Sequence, residues 1–398
     1  DKLTVHASLQ MLKYNITELA DALDMEEENI RLISRFVGGG FGSKLDISVQ
    51  PYLAMAAIKT GKPVRLTYSR SESMQSTTKR HPSDIRLSIG ADRSGKITGY
   101  DFYGEFDTGA YASWGPTVAN RVPVHASGPY SIPNYRAESK GIHTNNPPSG
   151  AFRGFGVPQA AIAQESLFDE LADRLGIDPL EFRIMNALDD GVPTVCGQVF
   201  ETGVGIKPCL EALRAPYAEA KQQVAAHNAS DPVKRLGIGV GAGWYGCGNT
   251  SMANPSTIQA GVRGDGTAVL HQGATDIGQG SNTVITKIFA QAFGVPVQEV
   301  VIIGPDTDQT PDAGKTSASR QTFVTGNAAR LAGESLRRQV LAMVNAAEDA
   351  VIALGRNVIE VTDSSGTHAI DLSRLEANTD GYVIDALESY DPPIKLLD

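Results

Sequence analysis

The chain of 398 residues has few cysteines, few aromatic residues and no long apolar run. Its three cysteines (Cys196, Cys209 and Cys247) are too few and too scattered for a disulfide framework, an iron–sulfur cluster or a zinc site. No apolar stretch approaches the ~20 residues that span a bilayer. The net charge of −10 is spread along the chain, so neither nucleic acid nor a membrane surface is an expected partner. These absences favour a soluble cytoplasmic protein.

What is present is core-forming material and glycine. Hydrophobic residues make up 41% of the chain, and there are 41 glycines. The length suffices for two or three domains. The first residues, "LTVHASLQ", already have the pattern of a strand. We therefore expect the chain to be part of a longer polypeptide, with processing or tag removal as the alternative.

Strand-like and helical patterns alternate, which predicts a mixed α/β fold. Strands are expected in "NIRLISRFV", "PVRLTYSR", "DIRLSIGAD" and "ITGYDFYGEFDTGAY", and a hairpin in "TIQAGVRGDGTAVLHQGA". Helices are expected after Val49, after Gly156 (ending at Gly176), after the N-cap Asp178 and after Gly280. Two lobes, 1–205 and 237–398, are predicted on either side of a connecting helix and linker at 206–236.

The stretch "RFVGGGFGSKLD", residues 35–46, has the composition of a phosphate-binding loop but matches neither common pattern. A P-loop needs Gly directly before Lys, and Ser43 stands before Lys44. The dinucleotide fingerprint needs a glycine where Ser43 stands as well. The segment "GAGWYG" (241–246) has the fingerprint spacing, but no helical pattern follows it, so we predict small residues in a buried strand.

Four segments share a composition of small residues, and each precedes a helical pattern: 38–44, 149–159, 275–282 and 314–321. Such segments let backbone N–H groups approach an extended polar ligand at helix N-termini. One of them alone is more often an ordinary strand-to-helix turn. Four together indicate one large anionic ligand.

In this order and spacing, "GGGFGSK", "AFRGFGVPQ", "DIGQG" and "TSAS" resemble the molybdenum-binding subunit of the xanthine dehydrogenase/aldehyde oxidoreductase family, the molybdenum hydroxylases. The resemblance extends to about residue 345. The stretches "KLDISVQ", "DTGAYASWGP" and "TNNPPSGAFRGFGVPQ" look most like the large molybdopterin subunit of nicotinate dehydrogenase. The resemblance implies the two-lobed molybdopterin-binding fold, of mixed α/β class, of that family.

The resemblance also implies roles for individual residues. Gln10 matches a glutamine that hydrogen-bonds an oxo ligand of molybdenum, and Arg153 matches a backbone contact near the metal. The implied cofactor-binding residues are Gln10, Gly39, Gly40, Phe41, Gly42, Arg153, Gln279, Gly280, Ser317, Ala318 and Ser319. The implied substrate residues are Leu45, Arg121 and Phe155. The metal has no direct protein ligand in this scheme, because molybdopterin holds it. Ordinary packing is the alternative for each residue.

The implied cofactor is molybdopterin, as its cytosine dinucleotide, with molybdenum. The implied reaction inserts an oxygen from water at an electron-poor carbon of a small-molecule substrate. Electrons would leave through 2Fe-2S and FAD centres, for which this chain has no motif, so iron–sulfur and FAD subunits are expected partners. A second molybdopterin subunit is a further possible partner.

Two positions depart from the family pattern. The family's general base is a glutamate in a Gly-Glu pair near the subunit's C-terminus, and the pair here, Gly333-Glu334, belongs to an amphipathic helix. We expect Glu334 to be solvated, so no catalytic residue is assigned in this chain and the chain alone is expected to be inactive. Purine-oxidising members have a glutamate where Leu45 stands, which disfavours xanthine and suits aldehydes or smaller N-heteroaromatics.

Arg121 carries the hypothesis about the substrate. A guanidinium in an apolar substrate funnel fits a carboxylate, so a nicotinate-like substrate is predicted. The alternative is an internal ion pair of Arg121 with Asp107 or Glu105. For the whole chain, the rival hypothesis is a non-catalytic homologous fragment that keeps the fold and binds no cofactor.

Overall fold

The computed structural model describes residues 2–246 and 253–393. Two compact units are formed by contacts within the chain. Unit 1 combines the described residues up to Gln75 with those from Gly246 onward, and unit 2 is the stretch Ser76–Tyr245 between them. The contacts group the chain differently from the predicted lobes, because residues 2–75 pack with residues beyond 253. The predicted lobe boundary at 206–236 falls inside unit 2 and stays a prediction.

Unit 1 has α-helices on mixed sheets. Its strands are β1 (Leu3–Ala7), β2 (Ile30–Ser34), β6 (Ser256–Arg263), β7 (Ala268–Gln272), β8 (Val300–Ile303), β9 (Val351–Gly355), β10 (Val358–Asp363), β11 (Gly366–Asp371) and β12 (Tyr382–Tyr390). Its helices are α1 (Lys13–Leu23), α2 (Gln50–Thr60), α3 (Arg70–Ser76), α9 (Ser281–Phe293) and α10 (Gln321–Val344). The sheets have the orders β1-β2, β12-β6-β7-β8 and β11-β10-β9.

Unit 2 is built on a smaller sheet. Its strands are β3 (Ser83–Ala91), β4 (Ile97–Gly109) and β5 (Tyr135–His143). Its helices are α4 (Gly115–His125), α5 (Val157–Leu175), α6 (Pro179–Asn186), α7 (Ile206–Ala212) and α8 (Arg214–Ser230). Strand β4 pairs antiparallel with β3 and parallel with β5. This mixed architecture agrees with the predicted class.

Local sequence explains several boundaries. Pro158 lies in the first turn of α5, and Gly176 ends that helix in the left-handed conformation (φ 68°), which glycine adopts without steric cost. The Asp178 side chain accepts hydrogen bonds from the N–H groups of Leu180 and Glu181 and so caps α6. The turn "GDG" joins β6 to β7 as predicted.

Each unit has its own core. In unit 1, α9 and α10 pack on the four-stranded sheet through residues such as Phe289 and Leu336, both fully buried. A second cluster in unit 1 joins α1 to β1 and β2. In unit 2, Phe102, Phe168 and Phe182 centre the core between the sheet and helices α5 and α6. No helix within the described ranges is long and apolar enough to cross a membrane.

Two sequence predictions were wrong. Residues 63–69 form no strand, although "PVRLTYSR" alternates as a strand does. Residues 241–246 are neither a strand nor buried. In both cases the local pattern suits a strand, but the described residues supply no strand beside it. On α10, Leu336 and Val340 are buried, whereas Met343 is 46% exposed.

Candidate functional site

Apart from Gln10, the predicted cofactor-binding residues of unit 1 lie on three loops, 38–44, 275–282 and 314–321. The last two lead directly into α9 and α10, which begin at Ser281 and Gln321. The N-cap residue of α10 makes no side-chain cap, whereas in the first turn of α9 the Asn282 N–H donates to the Asp276 side chain. The first is followed by α2 after a short turn, with Pro51 in the helix's first turn. Uncapped helix N-termini leave backbone N–H groups for a ligand or water.

Gln10 joins two of these loops. Its side chain is 2% exposed. The Oε1 atom accepts hydrogen bonds from the N–H groups of Gly42 (3.0 Å) and Lys44 (3.3 Å), and Nε2 donates to the Thr316 carbonyl (2.8 Å). Backbone bonds run alongside, from Gln10 N–H to the Lys44 carbonyl and from Thr316 N–H to the Gln10 carbonyl. One buried amide therefore sets the spacing of the two loops, although Gln10 and Thr316 are 306 residues apart in sequence.

Thr316 brings in the third loop. Its hydroxyl donates to the Thr275 carbonyl (2.7 Å) and accepts from Gln321 Nε2 (3.1 Å). Thr316 was not predicted as a site residue, although it directly precedes "SAS" in the sequence. Together with Gln10, it joins all three unit 1 loops.

The segment 275–282 is organised by the Asp276 carboxylate, which was likewise not predicted as a site residue. Asp276 accepts from the N–H groups of Gly278 (2.9 Å), Gly280 (3.2 Å) and Asn282 (3.1 Å). The Gln279 side chain is held within the same loop, by the Ile277 N–H and the Thr275 carbonyl. These amides have internal partners, so the predicted pterin contacts of Gln279 and Gly280 stay predictions. The spacing of Asp276 two residues before a glycine is the signal for such a turn.

The segment 314–321 is stabilised by the buried guanidinium of Arg320. Arg320 is 1% exposed and donates to the Asn254 side chain (2.7 Å) and to the carbonyls of Asn254 (3.0 Å), Pro255 (2.7 Å) and Ala313. Burial lowers the pKa of Arg320. Arg320 and Thr316 thus fix both ends of the turn that contains Ser317, Ala318 and Ser319.

Backbone strain concentrates in the predicted loops. Non-glycine residues rarely adopt positive φ, and where they do the surroundings must hold them, which is common at ligand sites. Among the described residues, eight non-glycine positions have positive φ. Four of them lie in the predicted segments: Phe41 (55°), Phe155 (48°), Ala318 (53°) and Ser319 (56°). Consecutive residues such as Ala318 and Ser319 turn their N–H groups toward a common side.

The 38–44 loop presents an exposed ring and a half-buried cation. Phe41 is 57% exposed, and its ring lies over Gly39, where an added Cβ would be 2.6 Å from the ring. At Gly40 an added Cβ would be 2.5 Å from the Gln10 side chain. Burial lowers the pKa of the Lys44 ammonium, which has no acidic partner in the described part of the chain. A half-buried cation beside strained amides suits an anionic ligand.

In unit 2, the 149–159 segment packs against α4, the helix that carries Arg121. An added Cβ at Gly156 would be 2.7 Å from Val122 of that helix, and Gly156 leads directly into α5. The Phe155 ring contacts Trp114 at the start of α4, edge to face, with 6.4 Å between centroids. Arg153 is exposed, and its carbonyl accepts from the Arg80 guanidinium. Phe155 and Arg121 are thus tied to one helix.

Arg121 itself lies over the Tyr245 ring, with 5.4 Å from its central carbon to the ring centroid. The predicted alternative, an ion pair with Asp107 or Glu105, is absent from the structure. Asp107 instead accepts from Thr144 and Asn146, and Glu105 accepts from the Tyr103 hydroxyl. Within residues 2–246 and 253–393, none of the ion pairs includes Arg121.

The remaining predicted positions are Leu45 and Glu334. Leu45 is 2% exposed, and its carbonyl accepts from the Asn15 side chain (2.7 Å), so its predicted substrate contact stays a prediction. Glu334 lies on α10, pairs with Arg330 (2.6 Å) and has a side chain 38% exposed, so the expectation that it has no catalytic role stays a prediction. No cluster of three or more histidine, cysteine, aspartate or glutamate side chains suitable for a metal occurs within the described residues. Cys247 lies outside them.

Two family models match the chain, and both describe a molybdopterin cofactor-binding domain, over residues 1–187 and 211–393. The chain belongs to the molybdopterin cofactor-binding family. It is the molybdopterin-binding part of a protein of the molybdenum hydroxylase type, as the sequence motifs predicted. The loops joined by Gln10 and Thr316 fall within the two matched ranges.

Curated relatives carry related names. The chain is 44% identical over 217 residues to the nicotinate dehydrogenase large molybdopterin subunit of Eubacterium barkeri, covering 54% of this chain and 51% of the relative. It is 34% identical over 384 residues to a putative xanthine dehydrogenase molybdenum-binding subunit of Escherichia coli, covering 94% of this chain and 49% of the relative. The chain thus spans about half the length of these relatives.

A solved structure has the same fold. The aldehyde oxidoreductase of Desulfovibrio desulfuricans superposes with a TM-score of 0.81 at 25% identity, covering 98% of this chain and 41% of that chain. The predicted fold class and family are therefore confirmed. The residues present also fit the cofactor, because strained amides, the uncapped N-terminus of α10 and the Lys44 ammonium all suit a phosphate-bearing pterin.

Proposed function

We propose that this chain is the molybdopterin-binding part of an enzyme that hydroxylates a carboxylated N-heteroaromatic such as nicotinate, with water as the oxygen donor. The observation that carries the proposal is the set of three loops joined by Gln10 and Thr316, two of which have left-handed non-glycine residues at their turns, Phe41 in one and Ala318 and Ser319 in the other. Strain of that kind persists where binding benefits from a fixed geometry. When bound, the cofactor would supply two-electron redox chemistry at molybdenum.

This chain's own residues would bind and orient. The Gln10 amide would hold the 38–44 and 314–319 loops at a fixed distance, so that their N–H groups meet the cofactor without rearrangement. The Phe155 ring would pack on the substrate. The general base and the 2Fe-2S and FAD groups would come from elsewhere in the assembly. The expected cofactor is the cytosine dinucleotide form of molybdopterin.

Arg121 supports the preference for a carboxylated substrate. Its guanidinium has an aromatic neighbour and no acidic one among the described residues, and it is anchored on a helix that also contacts the turn of Phe155. A guanidinium with no internal carboxylate is available to bind the carboxylate of a substrate with two parallel hydrogen bonds. The name of the nicotinate dehydrogenase relative agrees with such a substrate.

Cofactor content is the first test. The intact complex, purified from its native cells, should contain molybdenum by mass spectrometry and release a cytosine nucleotide on acid hydrolysis, each near one per chain. Absence of molybdenum would overturn the proposal and favour the non-catalytic fragment. The isolated 398-residue chain should show no turnover.

Substrate choice is tested by Arg121→Met in the assembled enzyme. Loss of charged hydrogen bonds of about 1.5–3 kcal/mol should raise KM for nicotinate roughly tenfold to a hundredfold and leave neutral aldehydes little affected. Arg93→Met is the matched control, because Arg93 lies exposed in the turn between β3 and β4 of the same unit. Equal losses on charged and neutral substrates would show that Arg121 is structural.

A further inference from the structure

Residues 62–68, which follow α2 in unit 1, have the sequence of a strand and the backbone of an unpaired edge. Val64, Leu66 and Tyr68 alternate with polar residues. Within the described part of the chain, no backbone hydrogen bond involves these seven residues, and all but Tyr68 are exposed. A run of unpaired N–H and C=O groups with strand-forming side chains is a template for another strand.

Helix α2 itself is apolar on nearly every side yet mostly uncovered. Between Pro51 and Lys59 it consists only of tyrosine, leucine, alanine, methionine and isoleucine, and only Gln50 and Ala54 of the helix are buried. Tyr52 (64%), Met55 (45%) and Ile58 (53%) are exposed at intervals of three residues, which places them along one stripe. A helix that is apolar all round is normally a buried helix. We call this stripe, with Val64 and Leu66, the α2 face.

The charges beside the α2 face have one sign. Lys59, Lys62, Arg65 and Arg70 are exposed, and residues 59–70 contain no aspartate or glutamate. None of these four cations forms an ion pair within the described residues, although the chain as a whole has a net charge of −10. A partner that places carboxylates here would gain complementary charge pairs and faster association.

We propose that the α2 face docks a second polypeptide chain, which adds an acidic β-strand along residues 62–68. Strand addition would pair the unpaired backbone groups, and an apolar side of the partner would cover Tyr52, Met55 and Ile58. We assign the strand to a separate chain because of the lengths of the relatives. The match to the relative named as a large molybdopterin subunit covers 217 residues, which are 51% of that relative, so the relative has about 425 residues. The match to the Escherichia coli relative covers 384 residues, which are 49% of that relative, so this relative has about 780 residues. A shorter form that is called a large subunit implies a smaller companion.

Photo-crosslinking in the native cells tests the occupant. The photoreactive residue p-benzoylphenylalanine is introduced at Tyr52 or Leu66, and at Val351 as a control, which is 67% exposed on β9 of the same unit. Products from Tyr52 and Leu66, and not from Val351, should contain one polypeptide of different sequence, identified by mass spectrometry. Crosslinks to a second copy, crosslinks to a continuation of the same chain, or none in the intact assembly would each overturn the proposal.

Binding measurements with that polypeptide, produced recombinantly, test the chemistry. The double variant Lys62→Glu/Arg65→Glu should weaken its binding at least tenfold and reduce the salt dependence of Kd. Arg356→Glu, an exposed cation of unit 1 outside the α2 face, should stay within twofold. Equal affinities of the two variants would contradict the charge argument.

Proline variants test the strand. Since alternate N–H groups point to opposite edges, either Leu66→Pro or Thr67→Pro should lose binding well beyond the matching alanine variant. If neither proline exceeds its alanine control, strand addition is wrong. The inference deepens the partner component of the proposed function and can be tested separately from it. Docking without molybdenum would contradict only the proposed function, and molybdenum without docking would contradict only the docking inference.

Discussion

Replacing Gln10 with leucine is expected to loosen two loops at once. Leucine approximately keeps the buried volume and removes three hydrogen bonds, two accepted from Gly42 and Lys44 and one donated to Thr316. At about 1 kcal/mol net for each bond, the free energy of unfolding should fall by about 3 kcal/mol. Because the side chain is 2% exposed, water does not replace the lost partners.

Two measurements check this. Urea unfolding followed by far-UV circular dichroism gives the loss of stability, and hydrogen exchange with mass spectrometry locates it. Amides of peptides covering 38–45 should exchange about fivefold faster or more, since 1 kcal/mol corresponds to about that factor. Peptides covering β4, in unit 2, serve as the internal reference and should be unchanged.

Gln259→Leu is the matched control for this prediction. Gln259 makes an exposed side-chain bond to Asp380 (2.9 Å), so its loss should change stability by less than about 0.5 kcal/mol. A destabilisation of Gln10→Leu below about 1 kcal/mol, together with unchanged exchange at 38–45, would refute the view that Gln10 sets the loop spacing.

Three further variants follow from the geometry. Gly40→Ala places a Cβ 2.5 Å from the Gln10 side chain and should cost about 1–3 kcal/mol in urea unfolding; a neutral result would mean the loop yields freely. Burial lowers the pKa of His81 to about 4, below the unfolded value of about 6.5, so the unfolded state binds more protons and stability should fall by up to about 3 kcal/mol as the pH drops from 6.5 to 4. His81→Gln should flatten that slope between pH 7 and 4.5, and an unaltered slope would assign it to other groups. Glu334→Gln should change stability by less than about 0.5 kcal/mol and leave turnover of the assembled enzyme intact; a large loss of turnover would restore the glutamate as a candidate base.

The sequence predicted those features that are encoded within a few residues. The N-cap Asp178, the end of α5 at Gly176 and the β6–β7 hairpin depend on local backbone conformation, and each is observed. The loops were located by their composition of small residues, because glycine and serine allow close backbone approach wherever they occur.

Other features depend on contacts between distant residues. Nothing near Gln10 specifies that its partner is Thr316, 306 residues away, so the joint between the loops had no local signal. Residues 63–69 show the converse case. Their alternation of apolar and polar residues suits a strand, but a strand also needs a neighbour, and the described residues provide none.

Unit 1 is assembled from two stretches separated by the whole of unit 2, and this has a consequence for biosynthesis. Residues 76–245 can begin to fold while the ribosome is still translating, whereas the 38–44 loop must wait for Thr316 to emerge. At roughly 5–20 residues per second, that delay is on the order of 10–50 s. During it, the apolar side chains of α1 and β1 can pack only within their small local cluster, which leaves them accessible to chaperones. Insertion of a cofactor into the joined loops must follow release of the last of them from the ribosome.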